Sequence, residues 1–131
     1  MEEGPLSSAA IISIVDDDES VRTAMSSLVR SLGYRAYEFD SAEAFLASPR
    51  LQDASCLIVD VQMPGMSGLD LQDALRARNQ DVPIIFITAF PVDRIRKRAE
   101  AAGAVGFFSK PVDSQSIIHC LDAALTRGAS P

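Results

Sequence analysis

The chain's 131 residues suit one domain, and 47% apolar composition supplies a core for it. A formal charge of −6 argues against nonspecific binding to nucleic acid or an anionic membrane, and no apolar run reaches the roughly 18–20 residues of a membrane span. The charge is uneven: residues 1–90 hold 6 basic and 14 acidic side chains, whereas residues 91–131 hold 6 basic and 4 acidic.

The opening "MEEGPLSSAA" carries acids and no signal-peptide core, so residues 1–10 read as a flexible tail of a cytoplasmic protein. "IISIV" (11–15) then reads as a strand buried on both faces. "IVDDDES" sets three aspartates and a glutamate where that strand ends. At about 5 Å and an effective dielectric near 20, each like-charge pair costs roughly 3 kcal/mol. The cluster therefore opposes folding on the scale of a small domain's whole stability, about 5–15 kcal/mol. A cation, shifted pKa values or divergence into solvent must offset it.

The first helix carries Val21, Met25, Leu28, Val29 and Leu32 on one face and stops at Gly33. "YRAYEF" (34–39) alternates, as a strand near an edge does, and "SAEAFLA" begins a helix with Ser41 as N-cap. "CLIVD" (56–60), "PIIFIT" (83–88) and "VGFFS" (105–109) are further buried strands. Leu69, Leu71 and Leu75 mark the third helix, and Ile95, Ala99 and Ala102 the fourth. Ile117, Ile118, Leu121 and Leu125 mark the fifth, capped by Asp113 or Ser114, before a tail or linker start at 128–131. Cys56 and Cys120 form no metal-binding pattern and read as buried free thiols.

Five βα units imply an α/β fold: a single (βα)5 doubly wound parallel sheet covered on both faces. Such sheets bind ligands beyond the carboxyl ends of the strands, at the topological switch point. Asp16, Asp17 and Asp18 follow the first strand, Asp60 closes the third, Thr88 closes the fourth, and Lys110 follows the fifth. Oxygen ligands of this kind suit Mg²⁺, which is held by one or two carboxylates plus a phosphate. A hydroxyl and an ammonium beside them suit the remaining oxygens of a phosphoryl group.

With "IVDDDESVR", "LIVDVQMPGMSGLDL", "FITAF" and "GAVGFFSKP" in order, residues 10–127 resemble the receiver domain of bacterial two-component response regulators. "MPGMSGLDL" and "AGAVGFFSKP" look closest to the FixJ-like branch. The resemblance implies flavodoxin-like strand order 2-1-3-4-5, a receiver domain over 11–127, and Asp60 as phospho-acceptor. It also implies Mg²⁺ held by Asp16 and Asp17 (one through water), Asp60 and the backbone carbonyl of Gln62. Thr88 and Lys110 would bind phosphoryl oxygens, and Phe107 would be the aromatic switch. The Lys110–Pro111 bond is a candidate cis peptide, because X-Pro bonds alone carry a small cis penalty.

The expected function is a signalling switch rather than an enzyme, catalysing only its own phosphotransfer and dephosphorylation. A sensor histidine kinase would donate to Asp60, and the fourth-helix/fifth-strand/fifth-helix face would answer, with a homodimer through that face as one output. The FixJ-like resemblance also suggests a DNA-binding output domain beyond residue 131, while this domain itself would bind neither nucleic acid nor membrane. The rival is a Mg²⁺-dependent haloacid-dehalogenase-type phosphatase, with Asp16 as nucleophile and Asp18 as acid. Blander roles fit other residues: Asp18 and Glu19 as a solvated face that helps cap the helix, the "MPGMSG" glycines for backbone geometry, and His119 on the surface. Two features depart from the family pattern. Phe90 and Pro91 follow the threonine, where Phe90 would narrow access to Asp60. Arg94, Arg96, Lys97 and Arg98 form a basic helix, read as a solvated face or a docking face.

Overall fold

The apolar and alternating runs become five parallel strands: β1 (Ile11–Val15), β2 (Arg35–Phe39), β3 (Cys56–Asp60), β4 (Ile84–Thr88) and β5 (Gly106–Ser109). The computed structural model describes residues 10–129. The strand order is β2-β1-β3-β4-β5, as the resemblance implied. Between the strands lie α1 (Glu19–Ser31), α2 (Ala42–Leu46), α3 (Gly68–Ala77), α4 (Asp93–Ala101) and α5 (Ser114–Ala129). Residues 1–9 and 130–131 of the expected tails lie outside the described residues, while 128 and 129 continue α5.

Alternate side chains point to opposite faces of a strand, so continuous apolar runs supply two cores. Ile12, Ile14, Ile58, Ile85 and Ile87 pack with Met25 and Val29 of α1 and Ile117 and Leu121 of α5. Val15, Leu57, Val59, Ile84 and Phe86 pack with Phe45 of α2, Leu71 and Leu75 of α3, and Ala99 of α4. Each such side chain stabilises the fold by about 1.5–3 kcal/mol relative to exposure.

Helix ends follow local chemistry. Asp18 caps α1, accepting from the N–H groups of Ser20 (2.9 Å) and Val21 (3.4 Å). At its other end Tyr34 N–H donates to Val29 O and Gly33 N–H to Arg30 O, the paired bonds of a Schellman stop. Ser41 caps α2 and Asp113 caps α5, each accepting the backbone N–H three residues on. Helix α2 is only five residues long, and a 3₁₀ turn at Leu51–Asp53 follows it. Pro49 lies between them and disfavours helical backbone at the residue before it.

The Lys110–Pro111 bond is cis. His119 is exposed and Cys56 is buried, but Cys120 is only half-buried, its thiol 3.3 Å from the Val105 carbonyl. Among the described residues no helix is long and apolar enough to cross a membrane.

Candidate functional site

Neighbouring strands β1 and β3 send their chains to opposite sides of the sheet, so their carboxyl ends flank its crevice. Asp16 extends the β1 ladder, its N–H donating to Phe39 O at 3.1 Å. Asp60 ends β3 opposite Ile87 of β4. Carboxylate oxygens of Asp16, Asp17 and Asp60 all lie within 4.8 Å of one another. Asp16 and Asp60 are buried, whereas Asp17 faces solvent.

Lys110 reaches this trio from the far side of the sheet. Its ammonium lies 3.0 Å from Asp16 Oδ2 and 3.3 Å from Asp60 Oδ2. Asp18 N–H donates to Asp16 Oδ1 at 2.8 Å, and Gln62 N–H donates to Asp60 Oδ1 at 3.2 Å. Burial, and then the Asp16 charge, push the Asp60 carboxyl up to about 6, against the pull of Lys110 and Gln62. Burial works to lower the Lys110 pKa, but the two carboxylates outweigh it and raise it, so the ammonium stays charged.

One cation among three carboxylates leaves the crevice short of positive charge. Asp16 Oδ2 is buried there without a hydrogen bond of acceptable angle, its charge met by Lys110 alone among the described contacts. The identified donors are hard oxygens, with no imidazole or thiolate in the cluster. That set fits Mg²⁺ better than a softer ion.

Thr88 is fully buried at the end of β4, its Oγ1 accepting from Phe90 N–H at 3.1 Å. Its carbonyl accepts from Lys110 N–H at 2.8 Å, which ties the end of β4 to the residue bearing the ammonium. Phe107 is half-buried, its ring centroid 6.4 Å from that of Phe86. Phe90 is 65% exposed, so in this conformation its ring stands in solvent and does not produce the expected narrowing at Asp60. Of the "MPGMSG" glycines, Gly68 has no room for a side chain: a Cβ would meet the Asp60 carbonyl at 2.5 Å.

Two readings gain detail. Asp18 is exposed and caps α1, as expected: its Oδ1 accepts from Ser20 and Val21, bonds that lower its pKa and so do not favour the proton-donating role of the rival reading. The basic helix is exposed, as a solvated face would be, but three of its four cations have acid partners. Arg98 pairs with Asp73 of α3 at 2.9 Å, while Lys97 and Arg96 pair with Asp93 at 3.2 and 3.7 Å. Arg94 alone of the four has no acid partner among the described residues.

Sequence reasoning missed Arg22 and Glu43. Arg22 Nη1 donates to the Asp16 carbonyl at 2.7 Å, and its Nε lies 3.8 Å from Glu38. An arginine near the start of α1 opposes the helix dipole, a signal that it serves another partner. Glu43 accepts from Met66 N–H at 3.0 Å. An acid in the first turn of a helix explains itself, so that residue left no such clue.

Comparison with known proteins agrees with this geometry. A family model described as the response regulator receiver domain matches residues 12–122. The response regulator protein TodT of Pseudomonas putida is 44% identical over 117 residues, covering 89% of this chain and 52% of that protein. The transcriptional regulatory protein FixJ of Azorhizobium caulinodans is 36% identical, over 90% of this chain and 56% of that protein. The solved structure of the response regulator StyR matches with a TM-score of 0.85 and 38% identity, over 93% of this chain and 62% of that one. The chain thus spans about half the length of the curated relatives it matches.

Proposed function

This chain belongs to the family of response regulator receiver domains and is a phosphorylation-activated receiver of a two-component system; we propose that Asp60 is the residue that takes the phosphoryl group. One observation carries that assignment: Asp60 closes the central strand, between the carboxylate of Asp16 and the ammonium of Lys110. The receiver is taken as residues 11–127, in a cytoplasmic protein.

In this reading Asp16, Asp17, Asp60 and the Gln62 carbonyl hold Mg²⁺, and Asp60 attacks the phosphohistidine of a sensor kinase. A carboxylate O–P bond forms as the P–N bond breaks, and its electron pair returns to the donor imidazole. Bound Mg²⁺ supplies positive charge to oxygens that carry the charge in transit. Lys110 turns from the carboxylates to a phosphoryl oxygen, and the Thr88 hydroxyl gives up Phe90 N–H to donate to another. That movement frees space beside Phe107, which repacks, and the face built from α4, β5 and α5 changes partner. The domain acts as a signalling module that catalyses only its own phosphotransfer and dephosphorylation. Its output would pass to a DNA-binding domain, a reading supported by the similarity to the transcriptional regulatory protein FixJ, or to a second copy through that face.

With Mg²⁺ and a small phosphodonor the chain should gain one acid-labile phosphoryl group, and Asp60→Asn should abolish it. Label on Asp16 would sink the assignment.

A further inference from the structure

The segment between β3 and α3, residues 61–67, carries the Gln62 carbonyl; Val61, Met63 and Met66 anchor it on the core, while Gln62, Pro64 and Gly65 are exposed. Val61 N–H continues the ladder to Ile87 O of β4, and two further N–H groups of the segment have partners within the β3–α3 stretch: Gln62 with Asp60 and Ser67 with Asp70. Met66 N–H is held from across the loop. Met66 N–H donates to Glu43 Oε2 of α2, 23 residues away, at 3.0 Å.

Pro64-Gly65 has the residues of a type II turn, with Gly65 at φ +77°. In such a turn the amide after the glycine ordinarily closes back on the residue before the proline. Here it is turned outward and satisfied by Glu43 instead. Gly65 makes room for that contact: a Cβ there would meet Glu43 Oε2 at 2.6 Å. A carboxylate accepting a backbone N–H makes one of the stronger hydrogen bonds.

We infer that Glu43 is a positioning residue for the metal site: its carboxylate holds the loop that carries the Gln62 carbonyl. The inference rests on the reading of that carbonyl as a Mg²⁺ ligand. Groups that orient a metal's ligands typically change affinity about 10–100-fold when removed. The contact here is exposed, so the low end applies.

Two measurements on the full chain test it. In chelator, amide hydrogen exchange at Met66 should quicken in Glu43→Ala while the strand amides keep wild-type protection. In a calorimetric titration with MgCl₂ alone, Glu43→Ala should bind about tenfold more weakly. Glu43→Gln keeps an acceptor of the same reach without the charge, and should fall between wild type and Glu43→Ala. Gly65→Ala, which crowds the carboxylate from the other side, should weaken Mg²⁺ as Glu43→Ala does. Unchanged Met66 exchange in Glu43→Ala overturns the inference without any metal present. So does equal weakening by Glu43→Gln and Glu43→Ala, which would assign the effect to charge alone. Quickened Met66 exchange in Glu43→Ala, beside a wild-type chain that fails to bind Mg²⁺, would instead defeat the reading of the metal site, and the inference with it.

Discussion

The ammonium of Lys110 stands 3.0 Å from Asp16 Oδ2, an ion pair between residues at the ends of two strands that are not neighbours. Asp16 is fully buried and has no other cation within ion-pairing distance among the described residues. Breaking a wholly buried pair costs about 3–5 kcal/mol, and the 18% exposure of the lysine side chain reduces this to about 1–3 kcal/mol. Lys110→Met should therefore lower stability in chelator by that amount, read from urea unfolding. The same substitution leaves three carboxylates without their neutralising charge, so Mg²⁺ should bind the variant more tightly than wild type. Weaker Mg²⁺ binding would contradict the account of Lys110 as a cation competing for the crevice.

Asp60 makes the metal-free protein pH-sensitive. Its folded pKa is raised from 3.8 to about 6, so the native chain holds this proton more tightly than the unfolded one. The group stabilises the fold fully below about pH 4, and that contribution is lost as pH rises through about 6. Asp18 works in the opposite sense: its lowered pKa stabilises above the usual aspartate range and is lost as pH falls through the folded value. In chelator at about pH 7.5, Asp60→Asn should be more stable than wild type by about 1–2 kcal/mol, discounted for solvent screening. The difference should vanish near about pH 4 and shrink when Mg²⁺ is added to both proteins. A variant less stable than wild type at the higher pH would remove carboxylate crowding as an explanation.

Gly68 opens α3, where alanine would ordinarily be the better helix former by up to about 1 kcal/mol. Sterics should reverse that sign. A Cβ meets the Asp60 carbonyl at 2.5 Å and Val61 Cα at 3.0 Å, both backbone atoms that cannot swing aside. Gly68→Ala should destabilise by about 1–3 kcal/mol, the range of overpacking. Because the clash falls on Asp60 itself, phosphorylation by a small donor should slow more than for an equally destabilising core change such as Ile117→Val. Equal rates in the two variants would separate Gly68 from the site.

Much of this arrangement is legible in the residues, for identifiable reasons. The strands stand out because a sheet covered on both faces buries every side chain, as β3 and β4 do from end to end. Asp16, Asp60, Thr88 and Lys110 stand out because each follows such a run, and a parallel sheet brings the ends together. The weaker readings lie where contacts depend on distant residues. The length of α2 was set by Pro49 and a following 3₁₀ turn that leave no periodic signal. Gln72 reads as a polar residue between leucines, yet it is buried and donates to the Ala99 carbonyl of α4. Arg98 reads as part of an open basic face because its partner Asp73 lies 25 residues earlier.

That pair changes how the output face should be tested. Arg98→Glu would set an acid beside Asp73, so a defect in such a variant would report the joint between α3 and α4 as much as a docking surface. Arg94 carries no such ambiguity: it is exposed and has no acid partner among the described residues. If a second copy docks on α4 after phosphorylation, α5 and its cap offer it two exposed acids, Asp122 and Asp113. Charges at an interface rim act on association more than on folding, and salt screens them. Arg94→Glu should therefore leave the unfolding midpoint within about 0.5 kcal/mol of wild type, as exposed substitutions do. It should also leave phosphorylation of Asp60 intact, while weakening phosphorylation-dependent dimers in sedimentation, more at low salt than at high. Adding Asp122→Lys should recover part of the lost association by restoring opposite charges across the interface; Asp113 is kept because it caps α5. Dimers of unchanged strength in Arg94→Glu would return α4 to a solvated face and place the output elsewhere.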